Sequence, residues 1–552
     1  MLPRALAALF LILSSCASAR QAPPAYDTVL RGGTIYDGSG GPPYLGDVAI
    51  KGDRIAAVST RVAGRGRTEI DARGLAVAPG FINMLSWAAE PLIRDGRAQS
   101  DVRQGVTLEV MGEGWSMGPF SPAQKAEAQA EQTGIRYKIV WTTLGEFLAF
   151  LEKKGVSVNI ASMVGASTVR VHELGRNDVD PTPEQLARMR ALVRQAMDEG
   201  AMGVGSSLIY VPALYAETDE LVALASEAGR CGGMYISHMR SESSGLLEAI
   251  DELVEISRRS GARAEIYHLK AVGRSNWPLM DPALAKIEAA RAAGMAITAD
   301  MYLYTASGTG LDSTLPVWVR EGGLRAMLAR LKQPELRARV IAEMQQGSRD
   351  WNTVQPVGFA NPALRPLAGK RLPEIAALRG KGVEETAVDL IVEDDSGVGT
   401  VFHSISEENL RKVLAKPWVS FGSDAGAIAA EPPFTDKEGH PRAYGNFARL
   451  LGRYVRDEKA LSLAEAVRRL TALPAETLRI ADRGRLRRGY FADLAIFDPA
   501  TIADRATYEA THRYAVGMRH VFVNGVQVLR DGEHTGATPG RFVRGPGWRR
   551  CK

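Results

Sequence analysis

Two histidines, His238 and His268, each close a short apolar stretch: Gly233-Met234-Tyr235-Ile236-Ser237-His238 and Ala264-Glu265-Ile266-Tyr267-His268. Two more such stretches end near acids, Val106–Met111 before Glu113 and Val419–Gly422 before Ser423-Asp424. A single histidine at a strand end is more often a hydrogen-bonded core residue. Two at matched ends of neighbouring strands can turn their imidazoles to one point, and with an anionic ligand they suit Zn²⁺ or a similar divalent ion. Asp424 is the best candidate for a general acid/base. A metal brings the pKa of its water towards neutrality, and a nearby carboxylate can take that proton and pass it to a leaving amine.

The elements that must position these groups are short apolar strands alternating with helices. Eight are read, centred on Val77–Ile82, Val106–Met111, Val156–Met163, Met202–Ser206, Gly233–Ile236, Ala264–Tyr267, Ala296–Ala299 and Val419–Gly422. Helices are expected at Pro183–Asp198 behind Thr182 as N-cap, Asp219–Gly229, Leu246–Ser260, and Pro282–Ala293 behind Asp281. Repeated βα units of this number fit an α/β fold of the (β/α)₈ TIM-barrel type, whose functional residues stand where strands end. Strand ends then carry Leu85, Trp87, Glu113, His238, His268, Asp300, Tyr302, Tyr304 and Asp424. The barrel is placed at 77–480, and 304–417 is read as an insertion over the functional face. Residues 26–76 and 481–545 alternate with period two between Gly and Asp turns, as in a small β-sandwich domain formed from both termini.

The first 19 residues read as an export signal, with Arg4 ahead of the apolar run Ala5–Leu13, too short to span a bilayer as a finished helix. Two cleavage readings fit. Leu13-Ser14-Ser15-Cys16 resembles a bacterial lipobox, which would leave a lipidated Cys16 attached to a membrane; cleavage after Ala19 would leave a soluble periplasmic protein. Either places the chain in the cell envelope. Cys231 and Cys551 lie far apart in sequence, so no disulfide framework is expected and Cys231 reads as a small buried hydrophobe. The net charge of +5 on 552 residues is small and its arginines are scattered, which argues against a nucleic-acid partner.

Arg31-Gly32-Gly33-Thr34-Ile35-Tyr36-Asp37-Gly38, Ala78-Pro79-Gly80-Phe81-Ile82, Ser237-His238-Met239-Arg240-Ser241-Glu242, His268-Leu269-Lys270-Ala271, Gly422-Ser423-Asp424 and His440-Pro441-Arg442 follow in order along nearly the whole chain. With these motifs the chain resembles the amidohydrolase superfamily and, within it, the D-aminoacylase (N-acyl-D-amino-acid deacylase) family. The resemblance implies hydrolysis of the amide of a small N-acyl-D-amino acid. It implies that His238 and His268 are zinc ligands and Asp424 the catalytic aspartate. It makes Arg442 the residue that binds the substrate carboxylate, a task suited to a two-pronged guanidinium, and Tyr302 rather than Tyr304 a substrate contact. Two departures matter. Where the superfamily has an Asp and then a His-x-His pair, this chain has Asn83-Met84-Leu85-Ser86-Trp87. Leu85 and Trp87 cannot ligate a cation, so one Zn²⁺ per chain is expected. The family's zinc-binding Cys after strand two is replaced by Gly114, and the neighbouring Glu113 is expected to supply the anionic ligand. The alternatives are hydrolysis of a cyclic amide or a dipeptide, or a noncatalytic barrel that binds a carboxylated ligand.

Overall fold

The computed structural model describes residues 24–132 and 135–551. The expected export signal and Cys16 lie outside the described residues. Parallel strands form two arcs: Phe81–Asn83, Val106–Met111 and Asn159–Ser162 in one, and Val164–Gly165, Gly203–Ser207, Met234–His238, Arg263–Ile266, Ile297–Met301 and Val419–Phe421 in the other. Strand three feeds both arcs. Its first half pairs with Val106–Met111, and past Met163 its second half pairs with Gly203–Ser207. At the opposite seam, Met84 N donates to Phe421 O at 3.2 Å and Asp424 N to Leu85 O at 2.9 Å. That seam closes the (β/α)₈ barrel and also carries Asp424.

Helices wrap the ring for ordinary reasons. Leu246–Ser260 buries Leu246, Ala249, Ile250, Leu253 and Ile256, a stripe at helical spacing, and stops at Gly261 with φ 69°. Pro183–Glu199 starts from Thr182, whose side chain and Gln185 cap one another reciprocally. Asp281 does not cap a helix, because it lies inside the first turn of Met280–Ala292.

Val77–Ile82 is not one strand. Ala76–Pro79 belongs to the β domain and Phe81–Asn83 to the barrel, and the chain changes sheets at Gly80. A Cβ there would lie 2.1 Å from Thr107 Oγ1, so only glycine lets the strand pass. The β domain is one nine-stranded sheet built from both termini, with Ala76–Pro79 pairing antiparallel to Leu494–Phe497. Leu30, Val48 and Ile50 from one terminus share a core with Leu494, Ile496 and Phe522 from the other.

After strand seven the chain builds a three-stranded antiparallel sheet (Ser307–Gly310, Val354–Gly358, Gly399–Phe402) and helices around a core of their own, which includes Val319, Leu331, Phe359 and Leu390. Glu407–Leu414, inside the range read as insertion, buries Leu410, Val413 and Leu414 in the barrel core and is part of its helical wall. Cys231 is corrected as well: it is disulfide-bonded to Cys551, with Cα atoms 5.2 Å apart. The C-terminal tail runs under the barrel, pairing Val543 N with Ile160 O, Gly545 N with Gly200 O and Arg549 N with Asp198 O before it reaches Cys231. Among the described residues no helix is long and apolar enough to cross a membrane.

Candidate metal centre and active site

His238 ends strand five, and its neighbour Ser237 pairs in register with Ile266 of strand six, so His238 and His268 leave adjacent strands at nearly one level. Their rings stand 4.4 Å apart at 88°. Glu113 Oε1 lies 2.8 Å from His238 Nδ1 and 3.1 Å from His268 Nε2, and all three residues are buried. Gly114, where a cysteine would stand, has no room for a side chain: a Cβ would sit 1.9 Å from Ser207 Oγ. The anionic group therefore comes from residue 113. His268 adopts φ 37° and Asp424 φ 49°, left-handed conformations that cost non-glycine residues on the order of 1–3 kcal/mol each and recur at functional sites. Asp300 Oδ1 holds the His268 amide at 2.9 Å, while Asn83 Oδ1 accepts from Ser423 N at 2.8 Å and anchors the turn before Asp424.

The charges around this point favour a cation. Glu113, Glu242 and Asp424 face two basic side chains, Lys270, which bonds Glu242, and Arg442, whose Nη1 lies 2.8 Å from Asp424 Oδ2. Burial would raise the Glu113 pKa, but its bonds to His238 and His268 hold it well below the usual carboxylate range. Burial and Lys270 push the His268 imidazole down, yet Glu242 and Glu113 outweigh them and raise it to about 10. Such a raised imidazole marks a pair of carboxylates seeking positive charge between them. The donor set of one carboxylate and two imidazoles fits a divalent metal, and Glu242, 3.0 Å from His268 Nδ1, is placed to orient that ring from behind.

Trp87 stands where the sequence departs from the His-x-His pair, and it sits between two carboxylates. Its Nε1 donates to Glu113 Oε2 at 3.0 Å and Asp424 Oδ1 at 3.1 Å, so a neutral N–H bridges the two carboxylates. Leu85 is buried in the barrel core. Arg442 stacks on the Tyr302 ring at 4.5 Å, and the Tyr302 hydroxyl is buried without a partner. Tyr304 instead bonds Asp504 at 3.3 Å. Burial raises the Asp424 pKa, with Arg442 opposing it.

A cavity of about 1710 Å³ opens over these groups, lined by Glu113, His238, His268, Asp424, Arg442 and Tyr302. Glu242, Lys270, Trp87 and Tyr210 also line it, and the sequence reading assigned them no role in binding. Lys270 carried a signal, since it stands two residues past His268 and its Nζ lies 2.9 Å from His268 Nδ1. Tyr210 carried none. Its ring packs edge-on against His238 at 5.2 Å from a loop with no motif.

Residues 68–529 match the "Amidohydrolase family". A D-aminoacylase of Alcaligenes xylosoxydans xylosoxydans is 33% identical over 94% of this chain and 97% of its own length. A solved D-aminoacylase described by its binuclear metal centre, with one-metal activation and second-metal attenuation, superposes with a TM-score of 0.79 at 32% identity, over 94% of this chain and 100% of that one. N-acyl-D-glutamate deacylase from Bordetella bronchiseptica, solved with zinc and a phosphonate that mimics the tetrahedral intermediate, gives 0.78 at 28% identity over 94% and 99%. This chain belongs to the amidohydrolase family and, within it, to the D-aminoacylases.

Proposed function

We propose that this protein hydrolyses the amide bond of N-acyl-D-amino acids with one zinc ion held by Glu113, His238 and His268. The observation that carries the reading is the meeting of Glu113 Oε1, His238 Nδ1 and His268 Nε2 at one buried point, with Asp424 and Arg442 on the same cavity wall. Held by Glu113, His238 and His268, such an ion would supply Lewis acidity for the amide carbonyl and for the attacking water. Asp424 takes the proton of the attacking water and delivers it to the amide nitrogen as the C–N bond breaks, which releases a carboxylic acid and the free amino acid. Arg442, whose Nε has no acceptor, and Tyr302, whose hydroxyl has none, grip the substrate's α-carboxylate. The bridging indole of Trp87 supports a count of one ion. Zinc-loaded protein should release free amino acid from N-acyl-D-amino acids faster than from their L-isomers or from dipeptides. Equal rates on both isomers, or activity confined to dipeptides, overturns the reading.

The chain is also proposed to be an envelope lipoprotein anchored through Cys16. The lipobox-like leader supports this, and so does the Cys231–Cys551 disulfide, which suits an oxidising compartment. Cys16→Ala should move the protein from the membrane fraction to the soluble one; an unchanged distribution rules out the anchor.

A further inference from the structure

On the underside of the barrel, away from the cavity, arginines gather that no carboxylate answers. Strand six begins on this face with Arg263 and leads to His268 at the cavity. Arg263 donates to Gly232 O at 3.2 Å, just ahead of strand five. A Cβ on Gly232 would lie 3.4 Å from Arg479 Nη1 and 3.4 Å from Pro546 of the C-terminal strap. Two residues further along the strap, Arg544 and Arg549 lie over the Trp548 ring, 4.8 and 4.6 Å from its centre. Arg550 follows, held in place by the Cys231–Cys551 disulfide. Among the described residues no carboxylate pairs with Arg263, Arg479, Arg544, Arg549 or Arg550. The acids near this ground are engaged elsewhere: Glu199 accepts from Gly145 N and Gln195, Glu476 from Arg485, and Glu227 from Arg190 and Arg194. Burial lowers the Arg263 pKa and the charge of Arg479 lowers it further, to about 10, with Glu265 opposing.

The chemistry of this face indicates its partner. Arg479, Arg544, Arg549 and Arg550 are exposed, and so is 38% of Trp548. Like charges gathered in this way repel one another and attract an extended anionic surface. A guanidinium grips a phosphate with two parallel hydrogen bonds, and an indole with one apolar and one polar side settles at the level of lipid headgroups. The anionic surface that an exported chain meets is a bilayer.

We infer that the underside docks on an anionic phospholipid bilayer, with Trp548 in the headgroup layer and the arginines on lipid phosphates, so that the cavity opens away from the membrane. The choice of a bilayer rests on the export reading of the leader. The contact is screened by salt: it orients an anchored chain and does not hold it alone, so the release expected for Cys16→Ala stands. The chain from Arg20 onward retains every described residue and carries no lipid. At low ionic strength it should sediment with vesicles of phosphatidylglycerol and phosphatidylcholine, stay in solution with phosphatidylcholine alone, and be released by salt. Changing Arg479, Arg544 and Arg549 together to Gln should weaken partitioning about 10- to 100-fold, and changing them to Lys should keep most of it, which separates lost charge from lost fold. The same charge removed from the insertion, by Lys332→Gln, Arg365→Gln and Lys370→Gln, should change it by less than about 2-fold. Lipids brominated close to the headgroup should quench a part of the tryptophan emission that is missing in Trp548→Phe. No preference for the anionic vesicles, an equal loss in the two glutamine variants, or undiminished quenching in Trp548→Phe overturns the inference. Retention of the protein in the cytoplasm would overturn the export reading instead, and the vesicle comparison would still decide what this face binds.

Discussion

Two walls face each other across the cavity, and they are built on different terms. The barrel wall carries Glu113, His238, His268 and Asp424 at the ends of parallel strands, and its two carboxylates nearest the imidazoles are answered, Glu113 by His238, His268 and Trp87, and Asp424 by Trp87 and Arg442. The insertion wall stands on a three-stranded antiparallel sheet with a core separate from the barrel's. Groups that perform the chemistry are held in place before substrate arrives. Changes to Glu113, His238, His268 or Asp424 should thus cut activity on every substrate, and changes to the groups around them should reorder substrates.

The severest break is Asp424→Asn. Losing proton transfer should lower kcat by about 10²- to 10⁴-fold on every substrate, with bound metal unchanged by elemental analysis. Retained turnover would remove Asp424 from the reaction, and lost metal would make it a ligand instead. Arg442→Ala comes next. It should raise KM about 10- to 100-fold for substrates with a free α-carboxylate and leave uncharged amides nearly untouched. An equal effect on both would mean that Arg442 acts through its ion pair with Asp424, and the two walls would then differ less than their construction suggests.

The contrast also marks what was legible in the sequence. His238, His268 and Asp424 could be read because a parallel barrel exposes strand ends on one face, so residue type and position together carry the meaning. Leu85 and Trp87 could be read as side chains unable to ligate a cation, but the sequence did not show Trp87 as a donor, because an indole N–H shows its use only when two carboxylates are seen to flank it. Cys231 and Cys551 were misread because a separation of 320 residues says nothing about a tail that returns under the barrel.

That tail gives a smaller effect, confined to stability and remote from both walls. Cys551→Ser frees the strap beneath strands three to five, and a disulfide of this kind contributes about 2–4 kcal/mol. For a chain of this size the Tm should fall by about 2–4 °C while kcat at low temperature stays put. A changed kcat would mean that the strap positions the strand ends above it.

The smallest effect concerns a carboxyl inside the barrel that neither wall uses. Glu265 is buried on strand six; its Oε2 accepts from Thr298 Oγ1 at 2.6 Å and its Oε1 has no partner. Burial, with the nearby Asp300 adding to it, raises its pKa from the ordinary 4.5 to about 8. The folded chain thus keeps a proton that the unfolded chain releases near 4.5. Between those two values the folded state binds more protons than the unfolded one, so stability falls as pH rises and levels off above about 8. Glu265→Gln keeps the shape and removes the titration, and its Tm should vary less than the parent's over this pH range. Parallel Tm curves for the two proteins would show that Glu265 is ionised in the fold, with a counter-charge supplied from elsewhere in the barrel.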